Sequence, residues 1–332
     1  MAQLKEAKYW EKLADGRLHC KLCPHNCHIA DGKRGLCRVR RNEGGVLYSI
    51  IYGRVTSVAM DPIEKKPLYH FHPGGAILSL GTMGCNFACK FCQNYTIAQM
   101  EAPTRPFSSE EAVAAAKERQ SIGIAYTYNE PFIWYEYVYD TARLARENGL
   151  KNVLVTNGYV QQEPLLDLLP YIDALNIDVK SMRPEFYKDI CRGSMDPVLE
   201  TCKTAAEHAH VEVTNLVIPG YNDTDDDLEK LATWIAANPG RGTPVHLSAY
   251  FPCFKLQAEP TPISTLERAF DVFSGHLDHV YLGNVASRKG GDTSCKSCGA
   301  LLIERRGYAT KVLELKENGT CARCGAENNI VM

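Results

Sequence analysis

The chain has 332 residues, of which 45% are hydrophobic and 23% are charged, so it can fill a core and is not a disordered polymer. Its net charge of −2 gives no bulk electrostatic reason to bind nucleic acid or an anionic membrane. No apolar run approaches membrane-spanning length and residues 1–13 lack the apolar middle of a secretory signal, so we expect a cytoplasmic protein.

In chain order, the sequence divides into three expected domains. Residues 1–70 carry clustered cysteines and Gly-rich turns, which indicates a small metal-binding segment. Residues 71–285 alternate short apolar runs with amphipathic patterns, which predicts successive strand–helix units. Residues 286–332 carry two further cysteine pairs, and residues 301–315 between them are expected to form two short strands.

The middle part is expected to supply seven strands and six helices. The predicted strands cover residues 76–81, 123–128, 152–155, 174–179, 211–218, 245–249 and 279–282. The predicted helices cover residues 108–120, 131–148, 164–169, 198–209, 225–237 and 265–276. Alternating strands and helices imply parallel pairing with right-handed crossovers, so the fold class is α/β with a partial or complete (β/α) barrel. Polar residues where such strands end form the site in this architecture.

The most distinctive motif follows the first predicted barrel strand. It places Cys85, Cys89 and Cys92 in one short loop with Cys-x3-Cys-x2-Cys spacing. Thiolates are soft ligands that suit iron–sulfur clusters, and three ligands for a four-iron cluster leave one iron open to a substrate. The alternative is a zinc site that takes its fourth ligand from elsewhere in the chain.

With an aromatic residue, Phe91, before its last cysteine, this motif resembles that of radical S-adenosylmethionine (SAM) enzymes. Four further segments resemble the pyruvate formate-lyase-activating-enzyme-like group, and specifically the radical enzyme of the AmmeMemoRadiSam system. They are residues 19–27 (HCKLCPHNC), 35–40 (GLCRVR), 61–68 (DPIEKKPL) and 126–131 (YTYNEP). The resemblance covers nearly the whole chain and implies a barrel of the radical SAM type.

The resemblance also implies an activity. A [4Fe–4S] cluster would reductively cleave SAM to methionine and a 5′-deoxyadenosyl radical, which abstracts hydrogen from a protein glycine or a small metabolite. An electron donor such as a flavodoxin or ferredoxin is implied, and a protein substrate or the proteins of the associated system are further candidate partners. A membrane partner is not expected, and a nucleic acid is not favoured.

Relatives meet SAM at strand ends, and the matching positions here are polar. Tyr128, Asn129 and Glu130 stand where relatives carry a Gly-Gly-Glu-type motif, so the resemblance assigns Glu130 to the methionine amino group. The alternative is that Glu130 is an acid at a helix N-terminus, stabilised by the helix dipole. Thr156 and Asn157 end the third strand and have side chains that can hydrogen-bond the ligand, although Asn-Gly is also an ordinary turn signal.

Three more residues complete the expected SAM site. By resemblance, Asp178 contacts the ribose hydroxyls or a cation, Lys180 contacts the ligand carboxylate, and Asn215 meets the nucleoside. A surface salt bridge is the alternative for the first two, and a structural hydrogen bond is the alternative for Asn215. The charged residues 61–66 are expected to form a solvated face, and the alternative, which the resemblance implies, is that they cover the cluster or contact the substrate.

Two further groups of cysteines are expected to bind metal. Cys295, Cys298, Cys321 and Cys324 form two knuckles whose spacing favours structural zinc in a zinc-ribbon-like module, with iron as the alternative. Cys20, Cys23, Cys27 and Cys37 also allow four-coordinate binding, where zinc is the first choice and an iron–sulfur cluster the alternative; His25 or His28 could replace one thiol.

The other cysteines are unpaired by spacing. Cys202 is expected to be a buried apolar residue of a helix, whereas Cys191 follows the fourth strand unit and could reach the site. A different class of function also remains open, in which the zinc ribbon is a binding module for protein or nucleic acid and the barrel is its scaffold. The lack of a basic, aromatic-rich stripe argues against nucleic acid.

Overall fold

The fold is built around one eight-stranded sheet. The computed structural model describes residues 4–287 and 289–332; residues 1–3 and 288, which belong to the expected N- and C-terminal parts, lie outside the description. The described strands are β1 (Lys5–Glu6), β2 (Trp10–Lys12), β3 (Leu18–Cys20), β4 (His28–Ile29), β5 (Arg40–Glu43), β6 (Val46–Ser49), β7 (Arg54–Val55), β8 (Ser57–Pro62), β9 (Ala76–Gly81), β10 (Arg105–Pro106), β11 (Gly123–Tyr126), β12 (Lys151–Thr156), β13 (Ala174–Asp178), β14 (His210–Val217), β15 (Val245–Ala249), β16 (Val280–Gly283), β17 (Thr293–Ser294), β18 (Leu301–Arg306) and β19 (Ala309–Val312). The order of the eight-stranded sheet is β16-β15-β14-β13-β12-β11-β9-β8. Seven of its strands are parallel, and β8 pairs antiparallel with β9 at one edge.

Helices connect the parallel strands. The α-helices are α1 (Tyr95–Ala98), α2 (Ser109–Glu118), α3 (Tyr135–Glu147), α4 (Gln162–Leu168), α5 (Pro184–Phe186), α6 (Asp196–Ala206), α7 (Asp225–Ile235) and α8 (Ile263–Ser274). Short 3-10 turns cover Ile63–Lys65, Pro131–Trp134 and Leu169–Tyr171, and π turns cover Tyr187–Cys191 and Ala236–Gly240. The α2 helix begins as its sequence dictates, because Ser108 and Glu111 form a capping box. Among the described residues, no helix combines the length and apolar character needed to cross a bilayer.

Along each strand, side chains point alternately towards the surrounding helices and towards the interior of the barrel, which is called the lumen here. At the amino ends of the strands the inward positions are apolar, and they pack with a chain segment that enters the lumen, residues 63–71. This core comprises Ile63, Leu68, Phe71, Ile77, Ala125, Val153 and Ala174. Towards the carboxyl ends, the inward positions Val155, Asp178 and Leu216 are partly exposed. The lumen is therefore filled at one end and open at the other.

The barrel is open between β8 and β16, and the C-terminal module of β17–β19 contacts both sides of the gap. On the β16 side, Leu282 N donates to Gly290 O at 3.0 Å, and the hydroxyls of Tyr281 and Thr293 lie 2.7 Å apart. On the β8 side, the hydroxyl of Thr310 donates to Glu64 at 2.8 Å. The module is thus a brace between the two free edges.

A buried polar network holds the segment that fills the amino end of the lumen. Glu212, an inward residue of β14, accepts hydrogen bonds from the backbone N–H groups of Tyr69 and His70 at 2.9 and 2.7 Å. Its carboxylate also pairs with His210 at 3.0 Å and His246 at 2.7 Å, and it is fully buried. One carboxylate therefore fixes the lumen-filling segment to two barrel strands.

The expected α/β barrel is confirmed, in its partial form. The seven predicted parallel strands and six helices are all present, with ends displaced by up to four residues. The two short strands expected in the tail are β18 and β19. The antiparallel edge strand β8 was not predicted, and it extends the sheet into the residues before position 71.

Candidate active site at the carboxyl ends of the strands

The cysteine loop leaves β9 at the open end of the lumen. Cys85 and Cys92 are partly exposed, while Cys89 is buried. Cys85 Sγ accepts from Phe87 N at 3.4 Å and from Asn157 Nδ2 at 3.6 Å. One backbone N–H group and one side-chain amide thus already donate to the sulfur of Cys85.

The chemistry of these thiols fits a cationic iron–sulfur core. Burial raises the pKa of Cys85 well above its ordinary value and that of Cys92 to about 11. The pKa of Cys89 is raised by a hydrogen bond with Cys191 and by burial, while the nearby Lys180 acts in the opposite direction. Because coordinating thiols are deprotonated by the metal itself, iron would supply the positive charge that these buried thiolates need.

Tyr128 and Asn129 link the cysteine loop to the end of β11. The side-chain amide of Asn129 accepts from Thr82 N at 3.0 Å and donates to Gly84 O at 2.9 Å. Tyr128 has a positive φ of 71°, a conformation that favours glycine. A Cβ on Gly81 would lie 2.8 Å from the Tyr128 ring, so the ring occupies space that only glycine leaves free.

Glu130 is occupied by protein groups. Its carboxylate accepts from Phe132 N at 2.9 Å, from Thr156 Oγ1 at 2.8 Å and from Asn157 N at 2.8 Å. The residue is buried, and burial raises its pKa to about 7. The geometry is that of a helix-capping acid, so Glu130 holds the end of β12 beside the cysteine loop.

Thr156 and Asn157 are likewise engaged within the protein. Asn157 Nδ2 donates to Asn86 Oδ1 at 2.9 Å as well as to Cys85 Sγ, and its Oδ1 accepts from Tyr159 N at 2.9 Å. Asn86 in turn donates to Tyr159 O at 2.7 Å. Asn86 and Tyr159 were not singled out from the sequence, because only the fold brings the β12 loop against the cysteine loop.

Asp178 and Lys180 lie on the open side of the lumen. Their side chains form an ion pair of 2.9 Å, in which Asp178 is 39% exposed and Lys180 only 10% exposed. Burial lowers the pKa of Lys180, but Asp178 and the thiols of Cys89 and Cys191 outweigh it and raise the pKa. The pair therefore differs from a solvated surface salt bridge, since its cation is held against the cysteine loop.

Asn215 lies behind this ion pair. Its Nδ2 donates to Val179 O at 2.8 Å and to Lys180 O at 3.2 Å, and the residue is buried. Its Oδ1 has no hydrogen-bond partner within the described part of the chain. The side chain supports the backbone that carries Lys180, which is the structural alternative weighed from the sequence.

The expectation of a solvated face at residues 61–66 is wrong for three of its charges. Asp61, Glu64 and Lys66 are 5%, 2% and 1% exposed. Lys66 Nζ lies 2.7 Å from Asp61 Oδ2 and 4.6 Å from the centre of the Tyr128 ring, and the Tyr128 hydroxyl also bonds Asp61. The segment turns into the lumen after β8, and no local pattern in the sequence signals that turn.

Cys191 reaches the site. It is fully buried and lies against Cys89, and its carbonyl accepts from Ala88 N at 2.8 Å. The π turn Tyr187–Cys191 ends at Arg192, whose φ is 63°, and this geometry directs the thiol inward. Such turns often mark functional positions, but spacing in the sequence does not reveal them.

The two accessory cysteine groups differ in geometry. The four Sγ atoms of Cys295, Cys298, Cys321 and Cys324 lie within 4.8 Å of one another, so this group could hold one metal ion. The thiols of Cys20, Cys23, Cys27 and Cys37 instead line one cavity.

Comparisons with known proteins agree with this geometry. The model of the Radical SAM superfamily matches residues 80–235, which include the cysteine loop and the strands around it. These residues form a domain of the Radical SAM superfamily. The chain shares a family with the uncharacterized protein MJ0808 of Methanocaldococcus jannaschii, to which it is 47% identical over 336 residues, covering 99% of this chain and all of that protein.

More distant relatives are activating enzymes. The chain is 28% identical over 156 residues to the pyruvate formate-lyase 1-activating enzyme of Escherichia coli, covering 45% of this chain and 63% of that enzyme. It is 29% identical over 119 residues to the 4-hydroxyphenylacetate decarboxylase activating enzyme of Clostridium scatologenes, covering 35% and 38%. The chain thus spans less than two thirds of these two relatives.

Solved structures share the fold. Streptococcus suis SuiB bound to S-adenosylmethionine superposes with a TM-score of 0.51 at 13% identity, covering 63% of this chain and 52% of SuiB. A radical SAM methyltransferase from Sphaerobacter thermophilus superposes with a TM-score of 0.50 at 17% identity, covering 70% and 71%.

Proposed function

We propose that this protein reductively cleaves SAM to methionine and a 5′-deoxyadenosyl radical, and that the radical abstracts hydrogen from a substrate in the lumen. Cys85, Cys89 and Cys92 hold the [4Fe–4S] cluster, which when bound supplies the electron for cleavage. The observation that carries this proposal is the position of the three thiols at the open end of the lumen, beside the ion pair of Asp178 and Lys180.

The strand-end residues divide into two roles in this proposal. Asp178 and Lys180 have charged groups on the lumen side and contact the ribose and carboxylate of SAM. Asn129, Glu130, Thr156, Asn157 and Asn215 are positioning residues, because their hydrogen bonds hold the loops around the cysteines and Lys180. Tyr128 faces the lumen and borders the space for SAM and substrate.

For the substrate, we favour a small polar metabolite over a protein glycine. Lys66, Asp61 and Tyr128 bring a buried cation, a carboxylate and a phenol together in the lumen. Residues 63–71 fill the amino end of the lumen and limit the depth available to an inserted protein loop. A glycine in a protein partner is the alternative, supported by the similarity to activating enzymes. We assign the chain to the AmmeMemoRadiSam group on the motifs that resemble it, with a flavodoxin or ferredoxin as electron donor.

Hydrogen transfer tests the substrate class. Anaerobic protein, SAM and a reductant are incubated with the small-molecule fraction or the protein fraction of fully deuterated cells. We expect deuterium in 5′-deoxyadenosine, measured by mass spectrometry, with the small-molecule fraction. Lys66→Met should reduce this deuterium transfer about tenfold, because one hydrogen-bonded charge contributes about 1.5–3 kcal/mol to binding. Lys65→Met is the control, since Lys65 also bonds Asp61 but is 45% exposed. Deuterium transfer from the protein fraction alone would contradict the metabolite proposal.

The C-terminal four-cysteine group is proposed to bind structural zinc. Its Sγ atoms pair at 3.6 Å (Cys295 with Cys324) and 3.8 Å (Cys298 with Cys321). The module also packs on the lumen-filling segment through Arg305, which donates to Tyr69 O at 2.6 Å, and a bond of 2.8 Å to Thr293 Oγ1 holds Arg305 within the module. These buried contacts support a structural role for the ribbon over the alternative of an independent module that binds protein or nucleic acid.

Cys298→Ala is expected to lower the thermal midpoint by several degrees and to remove about one zinc per chain, because a four-thiolate site loses one ligand. Cleavage of SAM at low temperature should persist in this variant. The measurements are metal content by mass spectrometry and anaerobic calorimetry. Ser297→Ala is the control, since Ser297 is an exposed neighbour in the same knuckle. Full retention of zinc and stability in Cys298→Ala would contradict the zinc assignment.

A further inference from the structure

Lys66 places a primary amine inside the lumen. The residue is 1% exposed, and the next residue along the chain is held by the side chain of Asn176, which donates to Pro67 O at 2.7 Å. Asp61 stands opposite Ile77 in the register of β8 and β9, and Ile77 belongs to the lumen core, so the Asp61 carboxylate also points into the lumen. The Lys66 amine lies 2.7 Å from this carboxylate and is therefore fixed in the lumen wall.

The amine shares its hydrogen-bond acceptor with a phenol. Lys66 Nζ and the Tyr128 hydroxyl both donate to the same oxygen, Asp61 Oδ2. The amine also lies 4.6 Å from the centre of the Tyr128 ring. Tyr128 is partly exposed, so its ring is the side of this group that a small molecule in the open lumen meets first. One carboxylate oxygen thus connects a nucleophile with a proton donor.

Two lysines share the carboxylate of Asp61. Lys65 Nζ lies 2.8 Å from its other oxygen, Oδ1, and Lys65 is 45% exposed. With both lysines protonated, the three residues carry one positive charge in excess, which is costly for the buried member. The hydrogen bond to Asp61 raises the pKa of Lys65. Lys65 therefore stays charged in contact with solvent, and loss of a proton from Lys66 balances the group.

The surroundings of Lys66 favour its neutral form over that of an ordinary lysine. Burial lowers the pKa of Lys66 and the charge of Lys65 lowers it further, while Asp61 acts in the opposite direction. Desolvation and a neighbouring cation are the two conditions that activate a lysine amine as a nucleophile in proteins. An ion pair with Asp61 alone would require neither the second lysine nor the phenol.

We infer that Lys66 captures an aldehyde or ketone substrate in the lumen by forming an imine with it. The neutral amine attacks the carbonyl carbon, a C–N bond forms and the C–O bond breaks. Both hydrogens of the amine leave with the carbonyl oxygen as water, passing through Asp61 Oδ2 and the Tyr128 hydroxyl, so no oxidant or reductant is consumed. The inference names the substrate class of the proposed reaction and rests on the proposed function only for the later abstraction of hydrogen.

Reductive trapping tests the imine without SAM cleavage. Anaerobically reconstituted protein is incubated near neutral pH with glyoxylate as the probe aldehyde or pyruvate as the probe ketone, and then with cyanoborohydride. Mass spectrometry with fragmentation locates the reduced adduct. We expect at least about tenfold more adduct on Lys66 than on Lys65, its exposed neighbour on the same carboxylate. Labelling of Lys66 no greater than that of Lys65 with both probes would overturn the inference, and this result does not depend on the folding of a variant.

Lys66→Arg separates covalent capture from an ionic contact. Arginine keeps the positive charge but forms no imine, so the adduct at this position should vanish. Deuterium transfer into 5′-deoxyadenosine should be no higher than in Lys66→Met. Transfer at the level of the unaltered protein in Lys66→Arg would show that only the charge is needed and would overturn the inference. Absence of 5′-deoxyadenosine in the unaltered protein, with Lys66 trapped as expected, would refute the proposed function and leave the imine standing.

Tyr128→Phe tests the proton donor. The variant keeps the ring but loses the hydroxyl, and trapping on Lys66 should slow at least about tenfold, the low end of what general acid catalysis contributes. Tyr95→Phe is the control, since Tyr95 is also partly exposed but its ring stacks on Phe254 at 4.7 Å. An unchanged rate of trapping in Tyr128→Phe would overturn the role of Tyr128 as proton donor.

Discussion

Cys89→Ala is expected to abolish 5′-deoxyadenosine formation and to remove about four iron atoms per chain. Cys89 is the buried member of the three thiols, and both Cys191 and Lys180 lie near it. Its loss leaves two ligands for a four-iron core, which cannot hold the cluster with one open iron. Anaerobic reconstitution followed by iron analysis, EPR and chromatography of the products measures the effect.

Cys202→Ala is the matched control for this variant. Cys202 is also fully buried, but it lies on α6, and burial is the sole cause of its raised pKa. This substitution should cost about 1 kcal/mol of stability and leave iron content and SAM cleavage intact. If Cys89→Ala retained full cleavage, the assignment of the cysteine loop to cluster binding would be refuted.

Glu212→Gln is expected to lower the free energy of unfolding by about 3 kcal/mol, because it removes a buried carboxylate and leaves donors without an acceptor. Glu212 accepts from Tyr69 N and His70 N and pairs with His210 and His246. Chemical denaturation at neutral pH measures the loss. Glu229→Gln is the control, since its Glu–His pair with His276 is 2.8 Å long but exposed, and its loss should cost less than about 1 kcal/mol.

The same pair of variants gives a pH test. Burial alone would raise the pKa of Glu212, but hydrogen bonds from His210 and His246 hold it well below its usual value of 4.5. A depressed folded-state pKa stabilises the protein fully above pH 4.5 and less as pH falls towards the folded value. The stability difference between unaltered protein and Glu212→Gln should therefore shrink below about pH 4.5. A constant difference down to pH 3 would contradict the assigned ionisation.

Local patterns in the sequence were sufficient to predict much of the fold. The strands of the barrel are apolar runs bounded by turn residues, so β9 and β15 were predicted at their observed ends. The cysteine loop could also be predicted from the sequence, because its three thiols fall within eight residues. The two strands of the C-terminal module follow from alternation between its cysteine pairs.

Contacts between segments that are distant in the chain could not be predicted from the sequence. The burial of Lys66 depends on the path of the chain after β8, and a run of charges gives no sign of that path. Cys191 approaches Cys89 because of a π turn, which has no sequence signature. Glu130 lies four residues after β11, at the start of the Pro131–Trp134 turn, and only the neighbouring β12 loop explains why its carboxylate is already engaged.

The brace between β8 and β16 has a consequence for biogenesis. The ribosome delivers every barrel strand before the ribbon that joins the two free edges. Until the ribbon emerges, Leu282 N of β16 lacks its acceptor Gly290 O, and an uncovered strand edge readily recruits strands of other chains. If the ribbon binds zinc as proposed above, cells starved of zinc should accumulate newly made protein in aggregates, while molecules completed before the starvation stay folded.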